Sequence, residues 1–257
     1  MFKSLGVLVI LGLIAEAILQ ETDLDRHTTV ETPTEFVDVS EAPFQVSVKI
    51  FGRHVCSGSI LNEQMVLTAF HCTMWGVISD IQVRAGTLNP YIGGQEVNVK
   101  GICTYASKDE LEPYKDIQIL ILEKELTFET NVQPIQLSFN DISDGTTALI
   151  TGWNVAEGEN FTSSKQPQIV SLTKMSNELC PGYANDNALV CFSSSSEKLS
   201  NVKTGSPLIV NGKQVGIDAY SYKNQCDNNR GFYIMLKAHR AFITKCIAHN
   251  LSKKPHF

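Results

Sequence analysis

The sequence predicts an all-β fold, a barrel or a sandwich, finished by one short C-terminal helix. Two observations carry that prediction. Short β-rich runs recur at intervals of roughly ten residues with turns between them. Several of those runs alternate apolar and polar side chains, the period of a strand with one face buried. The chain has 257 residues, which suits one large all-β domain or two small lobes. With 43% hydrophobic and 19% charged residues it can build a core.

The N-terminus comes first. Lys3 supplies a short basic start, Leu5 to Ala15 is an uncharged, mostly aliphatic run, and Ala15-Glu16-Ala17 offers a small-x-small cleavage site. Residues 1–20 therefore read as a secretory signal peptide. The run is too short to span a bilayer comfortably, and no later segment reaches the ~18 apolar residues of a transmembrane helix. Residues 21–35 are polar, with Thr-Thr and Thr-Pro punctuation, and read as an extended leader. Strand-like runs follow at Phe44–Ile50, Met65–Thr68, Ile81–Ala85, Ile117–Leu122, Ala148–Thr151, Pro207–Val210, Gln214–Ile217 and Gly231–Met235. Between Ala238 and His249 the apolar Phe242, Ile243 and Ile247 are spaced for a short helix. Ser193–Ser196 reads as a flexible loop.

The net charge is −6, with Lys and Arg scattered along the chain and no clustered nucleic-acid footprint. No nucleic-acid or membrane partner is expected. Seven cysteines follow a signal peptide, so disulfides are the default, and the odd count leaves at least one thiol without an internal partner. Asn160-Phe161-Thr162 and Asn250-Leu251-Ser252 are glycosylation sequons. No C-x-x-C pair or His/Cys cluster suggests zinc. Calcium wants several oxygen ligands, and the loop around Gly86–Val99 carries only Glu96 as a carboxylate. No metal and no cofactor is expected.

Six motifs then share one order. They are Ala42-Pro43-Phe44-Gln45-Val46-Ser47, Cys56-Ser57-Gly58-Ser59-Ile60-Leu61, Val66-Leu67-Thr68-Ala69-Phe70-His71-Cys72, Tyr114-Lys115-Asp116-Ile117-Gln118-Ile119-Leu120, Thr151-Gly152-Trp153 and Arg230-Gly231-Phe232-Tyr233. Together they resemble the chymotrypsin/trypsin family of serine proteases, over roughly Phe36 to His249. The resemblance implies two packed six-stranded antiparallel β-barrels with a short C-terminal helix and the active site in the cleft between the barrels. It sets the domain at residues 36–250, with a tail at 251–257.

The family's chemistry needs a serine nucleophile, a histidine base and an aspartate that orients it. The resemblance puts His71 and Asp116 in the last two places. Where the family has G-D-S-G-G-P-L, this chain has Val202-Lys203-Thr204-Gly205-Ser206-Pro207-Leu208, so the serine becomes Thr204. Known threonine nucleophiles typically use their own N-terminal amine as base, and Thr204 is internal. Its extra methyl also stiffens χ1. Ser206 lies two residues on, where its side chain should point elsewhere.

Three further departures agree. Val202 replaces an oxyanion-hole glycine, and losing one such donor costs about 3 kcal/mol of transition-state stabilisation. Lys203 replaces the acid that pairs with a freed N-terminus, and Glu31-Thr32-Pro33-Thr34 replaces the cleavage sequence, so both halves of the activation switch are gone. Lys198 stands where trypsin-like enzymes hold an acidic pocket residue, Ser221 replaces a pocket-wall glycine, and Ser200 replaces the partner of Cys226.

The resemblance also implies disulfides Cys56–Cys72 and Cys180–Cys191. Cys103 and Cys246 could form a third, which leaves Cys226 either buried and inert or bonded to another molecule. The leading reading is a degenerate triad of His71, Asp116 and Thr204 in a secreted, non-catalytic homologue. Its partner would be an extracellular protein: a protease, an inhibitor or another homologue. The expected contact loops are Ser193–Ser200 and Ser221–Asn229. An active hydrolase using Thr204 and a structural or carrier protein are the alternatives, because fold does not fix function.

Overall fold

The computed structural model of the chain describes residues 34–35, 38–105, 113–153, 167–176, 179, 188–194, 204–218 and 230–252. The expected signal peptide and all but the end of the leader lie outside those residues. So do Asn160, Cys180, Lys198, Ser200, Val202, Lys203, Ser221, Cys226 and the two expected contact loops, apart from Ser193–Ser194. Residues Pro33–Phe257 form one compact unit.

Within that unit the first barrel is built from β2 (Gln45–Ile50), β3 (Arg53–Asn62), β4 (Met65–Thr68), β5 (Ile81–Ala85), β6 (Gln95–Thr104) and β7 (Gln118–Leu122). These six close in the order β2-β3-β4-β7-β6-β5. The second ring is built from β8 (Thr147–Trp153), β9 (Pro167–Lys174), β10 (Leu189–Ser193), β11 (Pro207–Val210), β12 (Lys213–Asp218) and β13 (Arg230–Met235). It closes because β9 pairs with both β8 and β10. All pairings among these strands are antiparallel. A two-residue strand β1, Thr34–Glu35, pairs with Gln168 and Ile169 of β9. The end of the expected leader is therefore a seventh strand on the second ring. The chain finishes with a 3-10 turn, Leu236–His239, and helix α1, Arg240–Leu251. Among the described residues no helix is long and apolar enough to cross a membrane.

Turn chemistry sets the hairpins. Asn211 and Gly212, at φ 50° and 71°, join β11 to β12. Such a pair in the left-handed region gives the turn twist that matches the strands. Phe51 and Gly52 do the same between β2 and β3, at φ 50° and 74°. Phe at a positive φ costs roughly 1–2 kcal/mol, so the rest of the barrel must hold that turn in place.

Packing divides by face. Along β10 and β13, Val190, Phe192, Tyr233 and Met235 fill the second ring. Leu189, Cys191, Phe232 and Ile234 turn outward into the cluster that also holds the first barrel's core. Strands buried on both faces read as continuous apolar runs, and successive side chains in each feed different cores. Ile243 and Cys246 of α1 join the outward cluster, so the C-terminal helix is docked by its apolar stripe.

Two disulfides lie wholly among the described residues. Cys56–Cys72 ties β3 to the turn carrying His71. Cys103–Cys246 ties the end of β6 to α1 across a sequence separation of 143. Cys191 is also disulfide-bonded, and its expected partner Cys180 lies outside the described residues.

Candidate active site

The site begins at the end of β4. The strand leads through Ala69 into a 3-10 turn, Phe70–Cys72. Phe70 and Cys72 are buried, while the His71 side chain stays 21% exposed. Asp116 follows a second 3-10 turn, Pro113–Lys115, just before β7. It is 3% exposed. Both its oxygens are used on one residue: Oδ1 accepts the His71 backbone N–H at 2.8 Å, and Oδ2 lies 2.6 Å from Nδ1. A buried carboxylate at Nδ1 holds the proton there and leaves Nε2 as the acceptor, which is the tautomer a general base needs.

Gln118 braces this pair. Its side chain is fully buried and donates through Nε2 to the Ala69 carbonyl at 2.9 Å and to Thr73 Oγ1 at 2.9 Å. Ala69 and Thr73 flank the turn, so a residue of β7 pins both ends of the loop that presents His71. The motif reading did not single out Gln118. The signal available was only its place two residues after Asp116, at the first residue of β7.

Thr204 sits at the turn before β11, 4% exposed. Its carbonyl accepts the Ser57 N–H from β3 at 3.0 Å. Gly205 follows at φ 80°, its N–H bonded to the Asp218 carbonyl at 3.1 Å. A Cβ on Gly205 would stand 2.4 Å from the Ser57 carbonyl and 2.5 Å from Thr68 Oγ1. Only glycine permits both this φ and this approach between the rings. Ser206, the nearest serine, is fully buried.

These segments converge on one sulfur. Cys72 Sγ lies 3.9 Å from His71 Nε2 and 4.0 Å from the Thr204 carbonyl oxygen. The degenerate triad positions therefore occupy one place. Among the described residues no hydrogen bond joins the Thr204 hydroxyl to the His71 ring. A nucleophile and its base normally stand in such reach, although the bond can lengthen without substrate.

The donor set does not fit a metal. Cys56, His71 and Cys72 bring their ligand atoms within 4.8 Å of one another. Both sulfurs are spent in a disulfide, however, and a metal ligand must be a thiolate. Glu96 is occupied as well: it lies in β6 and pairs with Lys49 at 2.6 Å and with Arg84. Burial would push its carboxyl up, but the hydrogen bonds from Lys49 and Arg84 hold it below the usual range.

Two closed antiparallel barrels, with a His–Asp pair and a glycine-supported turn meeting at one disulfide, define the double-barrel serine protease architecture. The trypsin family model matches residues 34–243, and the chain belongs to that family. Among its relatives, trypsin iota of Drosophila melanogaster is 30% identical over 213 residues, covering 80% of this chain and 84% of the relative. Trypsin beta of Drosophila erecta is 26% identical over 238 residues, covering 90% and 92%. The fold is similar to that of neuropsin, a serine protease expressed in the limbic system of mouse brain, at 21% identity and a TM-score of 0.71. That match covers 84% of this chain and 98% of neuropsin. It is also similar to the scabies mite inactivated protease paralogue S-D1, at 19% identity and a TM-score of 0.72, covering 84% and 96%.

Proposed function

We propose that this chain is a secreted, glycosylated, non-catalytic trypsin homologue that acts by binding an extracellular protein: a protease, an inhibitor or another homologue. The observation that carries the reading is the threonine at the nucleophile position. Thr204 is buried and its hydroxyl makes no hydrogen bond to His71 among the described residues, while the His71–Asp116 pair keeps catalytic geometry. Val202 and Lys203 support it, since they replace the oxyanion glycine and the acid of the activation switch. The residues 1–20, the disulfides and the sequons at Asn160 and Asn250 support secretion. The double-barrel fold alone does not decide catalysis, since one of its solved bearers is named a serine protease and another an inactivated paralogue.

An exposed apolar patch close to the His71 turn supports the binding reading. The loop that leaves Cys72 carries Trp75, Val77 and Ile78, with Trp75 83% exposed. The β2–β3 turn carries Phe51, 70% exposed. The two are neighbours, because the Phe51 N–H donates to the Asp80 carbonyl at 3.1 Å. Exposed apolar patches of this kind mark interaction sites. Aromatic side chains at the centre of such sites carry much of the binding energy.

The intact His71–Asp116 pair favours one second reading, a hydrolase using Thr204. The two readings separate when the purified protein is immobilised and challenged with its native extracellular fluid. Specific capture that falls on Phe51→Ser/Trp75→Ser and survives His71→Ala supports the binding reading. Capture lost with His71→Ala but insensitive to the patch would return the residual triad to the centre.

A further inference from the structure

The sequon Asn250-Leu251-Ser252 lies at the end of α1. A sequon is read through its asparagine amide and its serine hydroxyl together, and it belongs in a surface loop. Here both groups are tied into the helix. Asn250 Nδ2 donates to the Cys246 carbonyl at 2.9 Å, and Ser252 Oγ donates to the His249 carbonyl at 2.9 Å. The Ser252 N–H donates to the Ala248 carbonyl at 3.1 Å. Bonds from short polar side chains to carbonyls three or four residues back are a helical pattern. Asn250 itself is half-buried.

A covalent anchor sits one turn earlier. Cys246, whose carbonyl takes the Asn250 amide, is buried and bonded to Cys103 across a separation of 143 residues. Ile243 lies with it in the core cluster, and Phe242 and Ile247 pack against that cluster. Contacts between residues so distant in sequence form late, because loop-closure entropy must be overcome first. Disulfide closure takes seconds to hours. Until it happens α1 has only its own 12 residues to hold it, and an isolated helix of that length is marginal in water. The sequon therefore starts on a segment without stable structure. Docking of α1 then engages both of its reactive groups.

We propose that Asn250 accepts a glycan only before α1 docks, so that closure of Cys103–Cys246 withdraws it as an acceptor. The donor is a lipid-pyrophosphate-linked oligosaccharide of the secretory pathway. A bond forms between Asn250 Nδ2 and the anomeric carbon of the first sugar. The bond from that carbon to the pyrophosphate oxygen breaks, the pyrophosphate leaves with the electron pair, and Nδ2 gives up one proton. One N–H remains on Nδ2, so a glycan already in place leaves a donor for the Cys246 carbonyl when the helix forms. Occupancy at Asn250 thus records which event came first. The inference rests on the secretion and glycosylation proposed above, but the acceptor chemistry of the purified chain is measured independently of them.

The experiment presents the unglycosylated mature chain, oxidatively refolded, to detergent-solubilised oligosaccharyltransferase and its lipid-linked donor. Mass spectrometry after peptide N-glycosidase reads each former site as aspartate. The folded chain should be modified at Asn250 at least roughly tenfold more slowly than the same chain reduced and alkylated, because the hydrogen bonds at the helix end must open first. Equal rates would overturn the proposal, and so would a reduced chain that is not modified at Asn250. In secreting cells, Cys103→Ser/Cys246→Ser should raise Asn250 occupancy in a short labelling pulse without touching the sequon. Loss of the disulfide can also block folding, so two exposed helix positions supply variants with the disulfide intact. Ala248→Gly weakens the helix and should raise pulse occupancy, whereas Thr244→Ala strengthens it and should lower it. Occupancy unmoved by all three variants would overturn the proposal. Absence of glycan from both Asn160 and Asn250 in cells would count against secretion instead, and the purified-chain comparison would still decide the acceptor question.

Discussion

His71 owes its orientation to neighbours of different visibility. Asp116 holds the ring from one side, and it was legible because the histidine and aspartate segments keep the family pattern. Gln118 holds the loop from beneath. It was not legible as a brace, because β7 is buried along its whole length and a lone glutamine in such a strand gives no period to read. At Thr204 the substitution was plain in the sequence, while the near-complete burial of the residue required the fold. Thr204→Ser keeps the hydroxyl and removes the methyl, yet Val202 and Lys203 remain, and one lost oxyanion donor alone costs about 3 kcal/mol. The single mutant should show no turnover of a peptide ester above the uncatalysed rate. Measurable steady-state hydrolysis would mean that positions 202 and 203 matter less than argued.

At the scale of elements, strands with one wet face were the easiest to anticipate. β5 alternates buried and half-buried residues, as its sequence Ile81-Gln82-Val83-Arg84-Ala85 suggests. β3, β6, β9 and β10 were not marked out as strands. β10 feeds two apolar clusters with successive residues, so it carries no polar alternation, and β6 is bent by an irregular register near Gly101. The contact between β6 and the C-terminal segment was also hidden, because it joins residues far apart in sequence. There Tyr105 and His239 Nδ1 lie 2.8 Å apart, and burial pushes the His239 imidazole down to about 4. The neutral ring is therefore the form the fold accepts. In the unfolded chain the imidazole titrates near its ordinary value of about 6.5, so the unfolded state binds more protons between that pH and about 4. Stability from this group is fully present above pH ~6.5 and should decline by about 3 kcal/mol as pH falls to ~4. Urea unfolding at several pH values would read the decline. His239→Phe should flatten that part of the curve, and an unchanged profile would contradict the assignment.

For the whole molecule, the double-barrel architecture was legible through six ordered motifs, and the structure has it. Two features of the whole were not. The ring closure of the second sheet, with Thr34–Glu35 added as an extra strand, depends on β9 pairing with three partners, and no local pattern announces that. The acid-free run from Asn228 to Phe257 was masked by reading charge over the entire chain, where net acidity hides a segment of opposite sign. The first arises because long-range pairing is a property of the closed fold. The proposed loss of catalysis likewise belongs to the whole site, where the His71–Asp116 pair stands near a buried Thr204. The most direct measurement is labelling of the purified, mature protein by a fluorophosphonate probe, with an active trypsin as the positive control. No labelling is predicted, at neutral pH and after attempted proteolytic activation alike. Labelling that disappears in Thr204→Ala would contradict the account and make Thr204 a working nucleophile.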